Sequence, residues 1–242
     1  GCQPIGETQG GKMSDAVFDF AFNARFSAGA NRFTLNISCR SDAARLAVVG
    51  PSGAGKSLML QLLAGLQRPQ SGHVNIAGRC YGDLSRFFWL PPQQRQVGLV
   101  FQDYALFPHL TVAQNIAFGL DTGWRNPKRH RLPEAVSFWL ERMQLSEIAD
   151  HYPHQISGGQ RQRTALARSC IPQPRWLLLD EPFSALDPDL RHQMRELVAE
   201  VQQELKIPML MISHDLADTQ ALADEVIRME DGILQHDRGE VS

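Results

Sequence analysis

The sequence predicts an α/β fold built around a mainly parallel sheet, and three observations carry that prediction. Leu46-Ala47-Val48-Val49 and Trp176-Leu177-Leu178-Leu179 are short, unbroken apolar runs, the pattern of strands buried on both faces. Each is followed by apolar residues at helical spacing. These are Leu58, Leu62 and Leu63 after the first run, and Leu190, Met194, Leu197, Val198, Val201 and Leu205 after the second. Strand–helix alternation of this kind builds parallel sheets.

The elements follow in order. Phe18, Phe20 and Phe22 alternate, as do Phe33, Leu35 and Ile37; with Ala28-Gly29-Ala30-Asn31 as a turn they predict a hairpin. After the Leu46–Val49 strand and its helix, Val74 and Ile76 mark a strand before Gly78. Leu90-Pro91-Pro92 breaks the chain, and Val97–Phe101 reads as a strand. Thr111 is positioned to cap a helix through Val112, Ile116 and Leu120. Val136, Trp139, Leu140 and Met143 trace one face of a second helix, so residues of about 103–160 are expected to be mostly helical. Asp187-Pro188 places a capping residue before a proline at the first helical position. Ile207–Ser213, Leu216–Ala223 and Val226–Met229 complete the pattern as strand, helix and strand. Residues 1–14 are expected to form a flexible tail with Met13 as the native start. Residues 15–242 are expected to be a single domain, without a C-terminal regulatory domain.

Composition limits the function classes. The 242 residues are 43% hydrophobic and 21% charged, an ordinary globular mix that argues against disorder. A net charge of −2 argues against a generally basic nucleic-acid protein. No apolar run approaches the roughly 20 residues of a membrane-spanning helix, and no signal peptide opens the chain. Cys2, Cys39, Cys80 and Cys170 form no CxxC pair, so free thiols in a reducing cytosol are expected. Lys128-Arg129-His130-Arg131, with Trp124 and Arg125, is a basic cluster read as a solvated loop.

Gly50-Pro51-Ser52-Gly53-Ala54-Gly55-Lys56-Ser57 fits GxxxxGK[ST] between a buried strand and a helix. Glycines let backbone N–H groups turn inward around phosphate oxygens, and the helix points its positive end at the same anion. Lys56 can reach the β- and γ-phosphates, and the Ser57 hydroxyl can ligate Mg²⁺. Trp176–Asp180 then delivers carboxylates to the C-terminal edge of the sheet, where ligands of open α/β sheets bind. Asp180 would hold Mg²⁺ through water, and Glu181 would accept a proton from an attacking water.

Ile156-Ser157-Gly158-Gly159-Gln160 resembles the LSGGQ signature of ATP-binding-cassette (ABC) ATPases, 23 residues before Asp180. Gln102 in Val100-Phe101-Gln102-Asp103 resembles the Q-loop glutamine, Ser184-Ala185-Leu186-Asp187 the D-loop, and His214 after Met211-Ile212-Ser213 the switch histidine. The resemblance runs from about residue 17 to 240. It implies a P-loop NTPase core with a mainly parallel sheet, an antiparallel β subdomain and an inserted α-helical subdomain. It also implies a site shared by two chains packed head to tail. Gly50 to Ser57 and Leu58 of one chain would hold ATP. Ser157, Gly158, Gly159 and Gln160 of the other, with Asp187, would close on it. Gln102 would reach Mg²⁺ and the attacking water, and His214 the γ-phosphate. Arg161 and Arg163 lie near the signature and are read as a solvated face or salt bridges. Leu58 stands where many members carry Thr, which implies modestly weaker nucleotide binding. For adenine stacking, Phe26 is the nearest aromatic candidate.

The segment Arg95–Val112 resembles importer cassettes for oxyanions, iron, polyamines and thiamine. The resemblance implies transmembrane permease subunits and a substrate-binding protein as partners, a homodimer of cassettes, and no nucleic acid. It also implies a peripheral place on the cytoplasmic face of the inner membrane. Tyr104, Leu106 and Phe107 suit a groove for a permease coupling helix. Gly78–Asp83, Phe88–Pro92 and Arg95 look most like the molybdate-importer cassette, with thiamine second and sulfate or iron behind. A soluble ABC ATPase of DNA repair, chromosome structure or translation ranks lower: Gln102 and Ser157 are only 55 residues apart, with no heptads between. An unrelated P-loop kinase or GTPase is disfavoured by Ser157–Gln160.

Overall fold

The computed structural model describes residues 16–28, 31–120, 126–127 and 132–236. The expected tail, Cys2 and the basic cluster around Lys128 lie outside the described residues.

Strands β1 (Phe18–Ala28) and β2 (Asn31–Ser41) form the expected hairpin, paired from Phe18 opposite Ser41 to Ala28 opposite Asn31. β3 (Arg45–Val49) leads into helix α1 (Lys56–Ala64). β4 (Ser71–Ile76), β5 (Arg79–Asp83), β6 (Phe88–Trp89) and β7 (Val97–Val100) follow. Helices α2 (Val112–Phe118), α3 (Glu134–Arg142) and α4 (Gly158–Cys170) intervene before β8 (Trp176–Asp180). After β8 come α5 (Pro188–Leu205), β9 (Met209–Ile212), α6 (Leu216–Leu222), β10 (Glu225–Glu230) and β11 (Ile233–His236).

Two sheets result. An antiparallel sheet has the order β2-β1-β4-β5-β6, and a six-stranded sheet the order β11-β10-β3-β9-β8-β7. The larger is parallel except at its β10–β11 edge. Its central strands explain why their sequences are apolar without a break. Ala47, Leu177, Leu179, Met209 and Met211 pack into a core with α2 to α5. Their neighbours Leu46, Val48, Trp176, Leu178, Leu210 and Ile212 pack on the other face, under α1 and the antiparallel sheet. Period-two side chains thus feed two cores.

The segment 103–160 departs from its expectation. α2, α3 and the first turn of α4 are its α-helices among the described residues, and the rest is turns and 3₁₀ pieces. Pro108, Pro133 and Pro153 interrupt helix propagation there, because proline lacks the backbone donor. The expected caps are present. Thr111 and Gln114 form a reciprocal capping box at α2, and Asp187 Oδ1 accepts from Leu190 N at α5. β5, β6 and β11 were not expected. Among the described residues, Cys39, Cys80 and Cys170 are free thiols, and no helix is long and apolar enough to cross a membrane.

Candidate functional site

The loop from β3 to α1 is shaped by close approaches. A Cβ on Gly50 would sit 2.1 Å from the Met229 carbonyl oxygen. Gly55, with φ of 101°, caps α1 in a left-handed conformation, and a Cβ there would strike Leu35 and Phe33. The buried Lys56 ammonium donates to the carbonyls of Gly50 (2.8 Å) and Pro51 (2.9 Å), folding the loop over itself. Gly232 N donates to the Ala54 carbonyl at 3.0 Å, which braces the loop from the β10–β11 turn. A cavity of about 340 Å³ opens above the loop, lined among others by Ser57, Leu58, Gln102 and Glu181.

The acidic side of the cavity comes from the end of β8. Asp180 is buried, and its Oδ1 has no hydrogen-bond partner among the described residues. Burial pushes this carboxyl above its ordinary range; the Ser57 hydroxyl and the Lys56 charge oppose that, and Glu181 adds to it. An orphaned carboxylate oxygen beside a serine hydroxyl is an oxygen donor set that suits Mg²⁺. Gln102 also lines a second, adjoining cavity of about 630 Å³ with Asp180 and Ser184. Glu181 follows with φ of 44°, its N–H bonded to the Ile212 carbonyl at 2.9 Å. Its Oε2 lies 3.4 Å from His214 Nδ1.

His214 is exposed, but the residues on both sides of it are fixed. The buried Ser213 hydroxyl donates to Asp218 Oδ2 (2.8 Å) and accepts from Asp215 N (3.1 Å). Arg191 on α5 bonds Asp215, and Arg195 meets Asp218 at 2.6 Å.

The Ser157–Gln160 motif stands apart. Ser157 caps α4, accepting from Gln160 N at 3.3 Å while Gln160 Oε1 accepts from Ser157 N at 2.9 Å. A Cβ on Gly159 would lie 2.6 Å from the Leu190 side chain on α5, which would have to shift to admit it. Gly158 has room: the nearest atom to a Cβ there is 3.7 Å away. None of Ser157, Gly158, Gly159, Gln160 and Asp187 lines either cavity. Arg161 bonds the Ile156 carbonyl and Arg163 bonds Gln144, so both serve local structure.

Within one chain, then, the fold brings together the Gly50–Leu58 loop, Gln102, Asp180, Glu181 and His214. It leaves the Ser157–Gln160 motif and Asp187 outside that cluster. Phe33 lines the cavity and was missed, because its alternation with Leu35 and Ile37 reads as core. Phe26 pairs with Phe33 across the hairpin but does not line the cavity. The expected apolar groove also changes. Tyr104 is 4% exposed and belongs to the core, with Leu106 packed against it. Phe107 lies on Phe118 at 4.3 Å between ring centroids.

A family model described as ABC transporter matches residues 34–184. The sulfate/thiosulfate import ATP-binding protein of Nephroselmis olivacea is 44% identical over 190 residues, 78% of this chain and 53% of that protein. A probable sulfate/thiosulfate import ATP-binding protein of Chlorella vulgaris is 43% identical over 187 residues, 76% of this chain and 75% of that protein. An Fe(3+) ions import ATP-binding protein of Serratia marcescens is 44% identical over 191 residues, 78% and 53% of the two chains. The chain thus spans about half the length of two of these relatives. A dimeric ATP-binding cassette solved in a post-hydrolysis state with ADP and Pi superposes with a TM-score of 0.74 at 25% identity, covering 92% of this chain and 99% of that one.

Proposed function

The chain belongs to the ABC transporter family of ATP-binding cassettes, and on that premise we propose that it is the ATP-hydrolysing subunit of an importer for a tetrahedral oxyanion. The observation that carries the reading is that Gln102 and Glu181 line the cavity over the Gly50–Ser57 loop, with Asp180 in the adjoining cavity and His214 against Glu181.

Backbone N–H groups of the loop bind the phosphates, and Lys56 exchanges the Gly50 and Pro51 carbonyls for phosphate oxygens. Ser57, Asp180 and Gln102 would hold Mg²⁺, which when bound neutralises charge on the β- and γ-phosphates. Glu181 accepts the proton of the attacking water, and His214 orients that water and the γ-phosphate. A second copy supplies Ser157, Gly158, Gly159, Gln160 and Asp187. The spare room at Gly158 and the dimeric state of the solved relative support this closing step. ATP binding then joins the two chains and hydrolysis separates them.

Phe107 and Leu106 form the contact for permease subunits at the cytoplasmic face of the membrane, with a substrate-binding protein delivering cargo. Sulfate and thiosulfate come first as cargo, because two of the three relatives compared above are named for them, at about the same identity and coverage as the Fe(3+) relative. Molybdate, a tetrahedral anion of the same class, is the finer alternative that the Arg95 region supports. Fe(3+) import is the second reading, from the Serratia marcescens relative; thiamine is the third, from the sequence alone.

Gentle solubilisation of tagged protein from its own cells tests the importer reading: a multi-spanning permease is expected to co-purify. ATPase of that complex is then expected to rise with binding protein loaded with sulfate, thiosulfate or molybdate. Stimulation by Fe(3+)-loaded or thiamine-loaded protein alone would replace the oxyanion. Exclusive recovery of soluble partners would end the importer reading and leave the ATPase.

A further inference from the structure

Arg168 lies on α4, eleven residues after Ser157, and reaches back to the segment that follows Gln102. Its Nη1 donates to the Ala105 carbonyl at 2.7 Å and its Nη2 to the Tyr104 carbonyl at 2.8 Å. The guanidinium also sits 5.6 Å from the Phe107 ring centroid. Both residues it holds are left-handed without being glycine, Tyr104 with φ of 62° and Ala105 with φ of 44°. Such conformations are sparsely populated and persist only where the surroundings over-determine them. Otherwise the backbone here is tied by Tyr104 N to the Phe101 carbonyl (2.9 Å) and Ala105 N to Asp103 Oδ1 (3.1 Å). Asn115, fully buried on α2, fixes the far end through Phe107 and Leu110.

A planar fork suits this task. Two neighbouring carbonyls are met here by the two Nη atoms of one side chain, a fixed pair of donors that guanidinium has and ammonium lacks. We propose that Arg168 is a positioning residue for ATP hydrolysis. By holding the Tyr104 and Ala105 carbonyls it sets the strained turn that presents Gln102 to the cavity, and it ties that turn to the helix carrying the Ser157–Gln160 motif. The proposal rests on the reading of Gln102 as a metal-side residue. It adds a group that touches neither nucleotide nor metal.

The test compares Arg168→Lys, Arg168→Met and Gln102→Ala in the full chain. Amide hydrogen exchange is read without nucleotide or metal, and ATPase is titrated with Mg²⁺. Arg168→Lys is expected to speed exchange at residues 103–107 while the rest of the sheet keeps its protection. It is also expected to raise the Mg²⁺ needed for half-maximal ATPase about tenfold, in the 10–100-fold range for groups that orient a metal's ligands. Metal-free nucleotide binding is expected to stay at the wild-type level. Arg168→Met is expected to do the same more strongly; should it fail to fold, the Lys variant carries the test. Gln102→Ala is expected to share the Mg²⁺ shift. Unchanged exchange at 103–107 in the Lys variant overturns the proposal. So does wild-type Mg²⁺ dependence in that variant when Gln102→Ala is shifted. Wild-type Mg²⁺ dependence in Gln102→Ala itself overturns the reading of Gln102, and the proposal with it.

Discussion

His214 Nδ1 stands 3.4 Å from Glu181 Oε2, and strand register puts them there. β8 and β9 are parallel neighbours in which Asp180 pairs with Ile212, so Glu181 leaves one strand one residue past that pair and His214 leaves its neighbour two residues past it. Glu181→Gln removes the proton acceptor and keeps the shape. Turnover is expected to fall by roughly 10²–10⁴-fold, the usual contribution of a general base. ATP binding is expected to remain, with an ATP-dependent dimer visible by size exclusion. Near-normal turnover in the purified variant would remove Glu181 from the reaction.

Asp180 gives a prediction with a defined sign. Burial raises its carboxyl above the ordinary value of 3.8, so the folded chain holds that proton more tightly than the unfolded chain. Metal-free stability therefore falls as pH rises from the unfolded value through the raised one. Asp180→Asn is expected to melt higher than the wild type at neutral pH without metal, and the difference is expected to close in acid. An unsatisfied buried group costs about 1–3 kcal/mol, and each kcal/mol moves the midpoint of a chain this size by roughly 2–4 °C. With nucleotide present, Mg²⁺ is expected to raise the wild-type midpoint and leave that of the variant unmoved. A variant that melts lower without metal at neutral pH would contradict this account.

Gly158 and Gly159 are adjacent but have different surroundings within the chain. Gly159→Ala drives a Cβ into Leu190, so the melting temperature and the ATPase are expected to fall together. Gly158→Ala meets nothing within its own chain closer than 3.7 Å. Its melting temperature is expected to stay near wild type while ATP-dependent dimerisation and ATPase fall. Equal loss of stability in both variants would place the need for Gly158 inside the chain.

Much of this architecture was legible because its signals are local. The Leu46–Val49 and Trp176–Asp180 strands, the Thr111 and Asp187 caps and the 18–41 hairpin each follow from their own few residues. What was illegible depends on distant partners. Tyr104 reads as free for a permease because the core that buries it includes α4 and β8, distant in the sequence. β5 and β6 escape because β5 pairs with β4 and β6 with β5, and neither carries a clean alternation. Arg168 carries no signal in the sequence, because its two carbonyl partners lie 63 and 64 residues away.

Phe33 is the missed residue with the most direct consequence. Its ring packs on the loop at Gly55 and lines the phosphate cavity, whereas Phe26 lies opposite on the hairpin and does not. Phe33→Ala is expected to weaken nucleotide binding by an amount set by aromatic stacking on the base, about 1–3 kcal/mol. Phe26→Ala is expected to have a smaller effect in the same fluorescent-nucleotide titration. The reverse order would return the base to Phe26.

The ion pairs behind His214 separate stability from positioning. Asp218, with 5% of its side chain exposed, is matched by Arg195 and bonded by Ser213. Arg195→Met leaves that carboxylate buried and uncompensated, a loss of about 3–5 kcal/mol, or roughly 6–20 °C in melting temperature. Replacing both partners, as Arg195→Met with Asp218→Leu, removes the uncompensated charge and is expected to recover most of that stability. It does not restore the Ser213 hydroxyl's acceptor, and Ser213 in turn holds Asp215 N on the far side of His214. The double variant is therefore expected to be stable yet slow, with kcat reduced and nucleotide affinity kept. Recovery of kcat along with stability would show that the network supports only the fold, and that His214 is placed by the end of β9 alone.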